Sequence, residues 1–525
     1  MLRTGNWIGL AVLALVAFVP AGSAQNIGAQ LAGTITDPSG AVIPGAEVTL
    51  TAVDTGAVMK VTSSPDGLYS FFNLQAGRYE IQVSNKGFRD YVQRGIRIAL
   101  NEKTRVDVKL EVGAESQQIE VTENASALNF ETAERSGGMA PETLNELPLI
   151  ITTNSGGLRS AASFMTLLPG VITPPGQGLD ATHFNGAQRG AGDAIYNGAS
   201  AATGNSGSGI FQAAYDYAQS PEMVNELKVI SGNYEPQYGS TAGAIFIMET
   251  RSGTNEFHGN GFWFHRNTAL NARQWNVDEK PRDLEHDAGG SIGGPAKVPL
   301  LWSSKNKTYF FFNFEAFRQT GGATRNILSI PSLQERQGDF RDWKDADGNL
   351  IPIYDPATTQ IVNGQVERKQ FMGCDGNTPN VICPDRIQNS LAQAWFKYLP
   401  QPSYPGPLNN FVALDAPASY SVHTNHYTTR VDEYMGNNDH LFYTLYLRKS
   451  APTTKTELPV EISNQSQTYI TETVTRLNWD HTFSPVLLNH SGCPLCRPVS
   501  SDSRSFSACL SPVVEFQRRI FVLQS

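Results

Sequence analysis

At 525 residues the chain is too long for one ordinary domain and implies about three. Charged residues make up only 17%, aromatics 10%, and Gly numbers 47, a balance that suits a turn-rich β protein better than a helical one. The net charge of −9, with no basic cluster, argues against a nucleic-acid partner. The first His is His183, so nothing upstream can supply a His-based triad or a His metal site.

The chain opens "MLRTGNWIGLAVLALVAFVPAGSAQN": Arg3, an apolar run from Ile8 to Val19, then small residues up to Ala24. That run is short of the ~20 residues a membrane-spanning helix needs. The pattern is that of a secretory signal (1–24), with cleavage expected between Ala24 and Gln25. No later segment reaches transmembrane-helix length, so insertion of the exported protein into a membrane would have to use strands.

Residues 26–112 alternate with a period of two. Leu31, Gly33 and Ile35, then Val48, Leu50 and Ala52, Tyr79, Ile81 and Val83, and Val106, Val108 and Leu110 each alternate with polar partners. The turn signals "DPSG", "SPDG", "LQAG" and "NKG" separate them. Such spacing without helices predicts a small β-sandwich. Asp37 and Asp66 are read as turn caps rather than cation ligands. The string "GTITDPSGAVIPGAEVTL…SSPDGLYSFFNLQAGRYEIQVSNKGF" resembles the carboxypeptidase regulatory-like domain, which implies no catalysis.

In residues 113–254 a β-like piece at Ile119–Thr122 precedes an expected short helix at 141–147 and a Gly/Ala/Ser-rich stretch that cannot bury a core. Ile245, Phe246, Ile247 and Met248 predict a strand apolar on both faces, which has to be enclosed. Gly239, Gly243 and Gly253 are placed where the chain turns or packs closely. The stretch "SPEMVNELKVISGNYEPQYGSTAGAIFIMETRSGTNEFHG" is similar to the end of the plug and the first barrel strand of the TonB-dependent receptors of the bacterial outer membrane. The similarity is strongest to the Oar-like subset, which carries a regulatory-like domain in front. Where that family usually has Asp in "AIYNGAS", this chain has Asn197. By the resemblance, "IEVTEN" corresponds to the TonB box, so Ile119, Glu120, Val121 and Thr122 would pair with TonB by strand addition. An ordinary edge strand or linker fits the same residues.

Residues 255–490 carry transmembrane-strand alternation. Leu441, Tyr443, Leu445 and Leu447 form one face of a strand, and His440, Thr444 and Arg448, with Phe442 and Tyr446, form the other. Phe310, Phe312, Phe314 and Ala316 oppose Asn313 and Glu315, while Glu472, Arg476, Asn478 and Asp480 oppose Leu477, Trp479 and Phe483. "MGNND" supplies a hairpin turn. The Pro-rich stretch at about 320–420 is read as an outer loop, and Cys374 and Cys383 within it as a disulfide of an exported protein. "DWKDADGNL" fails as a calcium loop, because Trp343 and Tyr354 stand where acids are needed. His423 and His426, three apart on a strand, face opposite ways and cannot chelate together. Cys493 and Cys496 form a C-x-x-C with neither a second pair nor a thioredoxin-like context.

From Ser491 the alternation gives way to a tail (491–525) with eight Ser, four Arg and three of the five Cys. The expected reason is loss of the reading frame near Asn489 or His490, which would leave a non-functional fragment; a genuine short receptor assembled from several chains is the alternative. Only about six strands precede that point, against ~22 in a large plugged barrel.

The expected fold is mainly β: a β-sandwich, a small α+β plug, and the first strands of an incomplete transmembrane barrel. The resemblance implies a binding and uptake protein of the outer membrane, with the N-terminal domain in the periplasm and TonB as partner. No residue identifies a substrate, and no motif implies a cofactor, metal or enzyme activity. A secreted or surface-attached β-sandwich adhesin is the alternative.

Overall fold

The computed structural model describes residues 28–113, 118–122, 133–139, 141–146, 160–174, 181–188, 191–200, 219–236, 238, 243–273, 280, 282–296, 308–322, 327–387, 390–412, 419–436, 438–454, 458, 470–484, 487–497 and 513–516. The signal segment with Ala24 and Gln25, and Gly239, lie outside them.

The N-terminal module contains β1 (Ala29–Thr36), β2 (Glu47–Ala52), β3 (Val58–Thr62), β4 (Leu68–Leu74), β5 (Gly77–Ser84), β6 (Asp90–Ile98), β7 (Lys103–Arg105) and β8 (Val108–Lys109). One sheet runs β4-β1-β7, with β8 also on β1. The other runs β3-β2-β5-β6 and continues into β9 (Gln118–Thr122). The alternating residues Leu31, Ile35, Val48, Leu50, Ile81, Val83, Val108 and Leu110 meet in one buried core. Gly33 is required by packing, since a Cβ there would sit 1.7 Å from the Val106 carbonyl oxygen. Asp37 does cap its turn, accepting from the Ser39 hydroxyl and from the amides of Ser39 and Ala41, and these bonds, the hydroxyl's first, hold its carboxyl below the usual range. In the "SPDG" turn the cap is Ser64 rather than Asp66. Its Oγ accepts from the amides of Asp66 and Leu68.

The middle unit holds β10 (Arg135–Met139), α1 (Pro141–Glu146), β11 (Val171–Ile172), β12 (His183–Phe184), β13 (Gly192–Tyr196), β14 (Ala199–Ser200), β15 (Val224–Gly232) and β16 (Ala244–Thr250). Its main sheet is ordered β10-β15-β16-β13-β14. Every residue of β16 is buried, as a strand apolar on both faces must be. The β13–β14 hairpin turns through Asn197 and Gly198, both with positive φ, which is the backbone that favours Asn-Gly. A Cβ on Gly243 would lie 1.4 Å from the Ala191 carbonyl oxygen.

The third unit is one antiparallel sheet: β17 (His258–Asn267), β18 (Asp283–Pro295), β19 (Thr308–Gly322), β22 (Ser419–Met435), β23 (Asp439–Thr454), β24 (Ile470–Ser484), β25 (Leu487–Arg497) and β26 (Val513–Phe516). It is barrel-like and does not close among the described residues. One of its faces packs on the middle unit through Phe311, Tyr446 and Val474. Strand β25 runs through the point where the sequence places a break, pairing Asn489 with His481 and Arg497 with Thr473. An antiparallel ladder is made by backbone groups, so it persists where side-chain alternation is lost. Pro494 falls beyond the four residues covered by β26, on edge backbone where proline is tolerated.

The stretch between β19 and β22 is a folded unit rather than a plain loop. It contains the β20–β21 hairpin (Gln360–Val362, Gln365–Glu367), α2 (Ser390–Phe396) and a small core of Ile330, Leu399 and Phe411. Two fully buried asparagines substitute for a larger core. Asn380 Oδ1 accepts from the Ile353 amide and Gln370, and its Nδ2 donates to the Ile351 carbonyl. Asn410 likewise bridges the Ile330 amide and carbonyl. Cys374 and Cys383 are joined by a disulfide, Cα–Cα 5.2 Å.

Candidate functional site

The polarity of the third unit is inverted relative to a soluble sandwich. Residues facing the middle unit are polar and buried: Asn313 and Glu315 on β19, Thr424, His426, Thr428, Arg430 and Asp432 on β22, and Glu472, Arg476 and Asn478 on β24. Residues facing outward are apolar and exposed, among them Phe312, Tyr443, Leu477 and Trp479. The period of two in each strand creates the two faces. His423 is exposed and His426 fully buried, so they point apart as expected.

At one end of this sheet the middle and third units meet on Arg430. Its guanidinium donates to Asp432 from Nε (3.0 Å) and Nη2 (2.9 Å), pairs with Glu249 of β16 at 3.4 Å, and donates to the Thr250 carbonyl. It also lies over the Phe442 ring, 4.6 Å from the centroid. Asp432 in turn accepts from Ser252 Oγ (2.7 Å) and contacts His440 Nε2 at 3.0 Å. His440 reaches Asp480 at 3.6 Å, and Asp480 meets His490 of β25. The sheet of the middle unit is thus tied to β22, β23, β24 and β25 through charges taken out of water. Such an arrangement holds only when each charge is paired.

The N-terminal module docks on this junction through three turns. Gln75 Nε2 donates to Asp432 Oδ1 at 3.3 Å. The Asp54 carbonyl accepts from the Asn255 amide at 3.0 Å, and the Thr55 carbonyl accepts from Tyr309 Oη at 2.6 Å. The Leu100 amide donates to Glu226 Oε2 at 2.7 Å, and Lys228 Nζ donates to the Asn101 carbonyl at 2.8 Å. Leu100 also packs with Ile195, Ile230 and Ile245. Burial pushes the Glu226 carboxyl up to about 7 despite the Leu100 bond. Residues 251–257, which lead from β16 into β17, are held between module and sheet. Here a Cβ on Gly253 would lie 2.3 Å from the Phe310 carbonyl oxygen.

Of the residues singled out from sequence, Ile119, Glu120, Val121 and Thr122 lie in β9, paired in parallel with β6: Tyr91 opposite Ile119, Gln93 opposite Val121 and Arg94 opposite Thr122. Cys374 and Cys383 lie in the folded unit between β19 and β22, far along the chain from this junction. Asp345 caps its turn, accepting from the amides of Asp347 and Asn349. Cys493 and Cys496 belong to β25. The Arg430–Asp432–His440–Asp480 chain was missed. Its signal was an acid and a base two apart on the polar face in "TTRVDEY".

Residues 30–111 match the carboxypeptidase regulatory-like domain, and residues 249–506 match an outer membrane beta barrel domain. The second match continues past His490. The chain is similar to the TonB-dependent transporter Oar of Myxococcus xanthus, at 25% identity over 353 residues, covering 65% of this chain and 31% of that protein. It therefore spans about a third of that relative's length. Among solved structures it resembles a ferric enterobactin receptor (PfeA) mutant of Pseudomonas aeruginosa (10% identity, 68% of this chain, 40% of that one, TM-score 0.37). It also resembles the siderophore receptor PirA of Acinetobacter baumannii (12% identity, 68% and 39%, TM-score 0.37). The chain is thus an outer-membrane β-barrel protein with a carboxypeptidase regulatory-like domain in front, and it is homologous to a TonB-dependent transporter.

Proposed function

We propose that this chain acts in TonB-powered uptake across the outer membrane. The third unit lies in the bilayer, the middle unit acts as a plug, the N-terminal module faces the periplasm, and β9 is the segment that engages TonB. The observation that carries this reading is the inverted polarity of the eight-stranded sheet, with Arg430, Asp432 and Glu472 buried inward and Leu477 and Trp479 exposed outward. Lipid accepts such an outer face, whereas water would favour the opposite arrangement. The Arg430–Glu249 ion pair to β16 and the hydrogen bond that Ser252 donates to Asp432 are the contacts that a pull on the plug would have to break. No residue of the described site selects a substrate class.

Two measurements test this. Outer-membrane vesicles washed with alkaline carbonate should retain the chain, and complete release would favour the secreted or surface-attached adhesin instead. A photocrosslinker at Val121 should give an adduct with TonB in cells, lost when Thr122 is changed to Pro. No adduct from any position in 118–122 would remove β9 from this role.

A further inference from the structure

We propose that the regulatory-like module is a platform that presents β9, already extended, as the edge onto which TonB adds a strand of its own. This rests on the reading of β9 as the TonB-engaging segment and adds what the module is for.

Three observations point to it. First, β9 is not a free tether: five consecutive residues pair in parallel register with β6, from Asp90–Gln118 to Arg94–Thr122. Second, β9 is the last strand of the order β3-β2-β5-β6-β9, and no described strand pairs with its other edge. A strand in that position offers a row of backbone donors and acceptors to an incoming strand. Third, the module carrying β9 is fixed to the plug and barrel wall at Leu100–Glu226, Asn101–Lys228 and Gln75–Asp432. The platform is therefore held against the middle unit and β22, and the chain leaving β9 leads to β10, the edge strand of the middle unit's sheet.

The physical consequence is preorganisation. A segment that binds from a disordered state loses backbone freedom on association, and one already laid on a sheet has lost it beforehand. The partner strand would become the sixth of the module's second sheet, with β9 between it and β6. Side-chain identity in β9 would matter little, because the recognition is by backbone.

The test locks β9 in place. Arg94 and Thr122 are register partners, within the Cα separation a disulfide spans. The full chain carrying Arg94→Cys and Thr122→Cys, purified in detergent, is compared oxidised and reduced, with peptide mapping to identify the cross-link. The probe is the purified periplasmic domain of TonB from the same bacterium. The platform predicts that the cross-link forms and that the locked chain binds about as tightly as the reduced one, or up to roughly tenfold more tightly. A tenfold or greater loss on locking would overturn the platform, since β9 would then have to leave β6 to bind. Failure of the cross-link to form would overturn it too. A cross-link that forms, with no binding in either state, would instead overturn the TonB role of β9, and the platform's partner with it.

Discussion

Arg430 has a side chain 1% exposed and serves two carboxylates, Asp432 beside it and Glu249 on the enclosed strand. Replacing it by Met would leave both acids buried without their cation, a change that costs about 3–5 kcal/mol in comparable buried pairs. We expect R430M to lower the thermal stability of the purified chain, with Asp432→Asn in the same background recovering part of the loss. Glu226 gives a pH-dependent counterpart. Its carboxyl is raised from the usual carboxylate range to about 7 by burial, so the folded state favours its protonated form. The penalty is absent below pH 4.5, grows as pH rises from 4.5 towards 7, and is full above 7. Stability should therefore fall across that window, and E226Q, which can still accept from Leu100, should flatten the fall and raise the melting temperature at pH 8. A profile unchanged by E226Q would show that Glu226 is already ionised. The Arg430–Asp432 pair had its signal in "TTRVDEY", but Glu249, the other partner of Arg430, and Leu100, the partner of Glu226, lie far along the chain and gave none.

At the level of elements, alternation of apolar and polar residues sets the faces of the strands, because one residue of shift would turn every apolar group the wrong way. It also gave the sandwich its core, as Leu31, Leu50, Ile81 and Val108 show. Residues 28–113 expressed alone should melt cooperatively with a β-type circular dichroism spectrum, and a disordered spectrum would show that the module needs its docking partners. What alternation could not give was structure held by polar groups. The unit between β19 and β22 looked like a loop because its Pro-rich, polar composition carries no period, yet Asn380 and Asn410 organise it. Truncating Asn380 to Ala strands several buried backbone partners and should cost about 1–3 kcal/mol, read as faster proteolysis within 327–412 while β22–β24 stay intact. Strand β25 was lost to the reading for the reverse reason: its ladder needs only backbone, and Gly492 and Pro494 hide it.

On the scale of the whole molecule, the described residues form three packed units, of which the third has a sheet polar towards the middle unit and apolar outward. The turns of the regulatory-like module and the stretch from Ser220 to Gly259 made this architecture legible. The docking of the module was not, since it is built from turn carbonyls and amides at Asp54, Thr55 and Leu100 that any sequence could supply. An outward substitution such as Leu477→Arg should impair membrane assembly, at about 2–4 kcal/mol near the bilayer centre, while the same charge is native on the inward side at Arg476. The most direct test of the central claim is a scan of β23. Single cysteines at 441 to 448, in a background with the native cysteines replaced, are labelled with an environment-sensitive fluorophore in lipid vesicles containing a lipid-borne quencher. The account predicts quenching at 441, 443, 445 and 447 and protection at 442, 444, 446 and 448. Uniform quenching, uniform protection or the reverse alternation would contradict it.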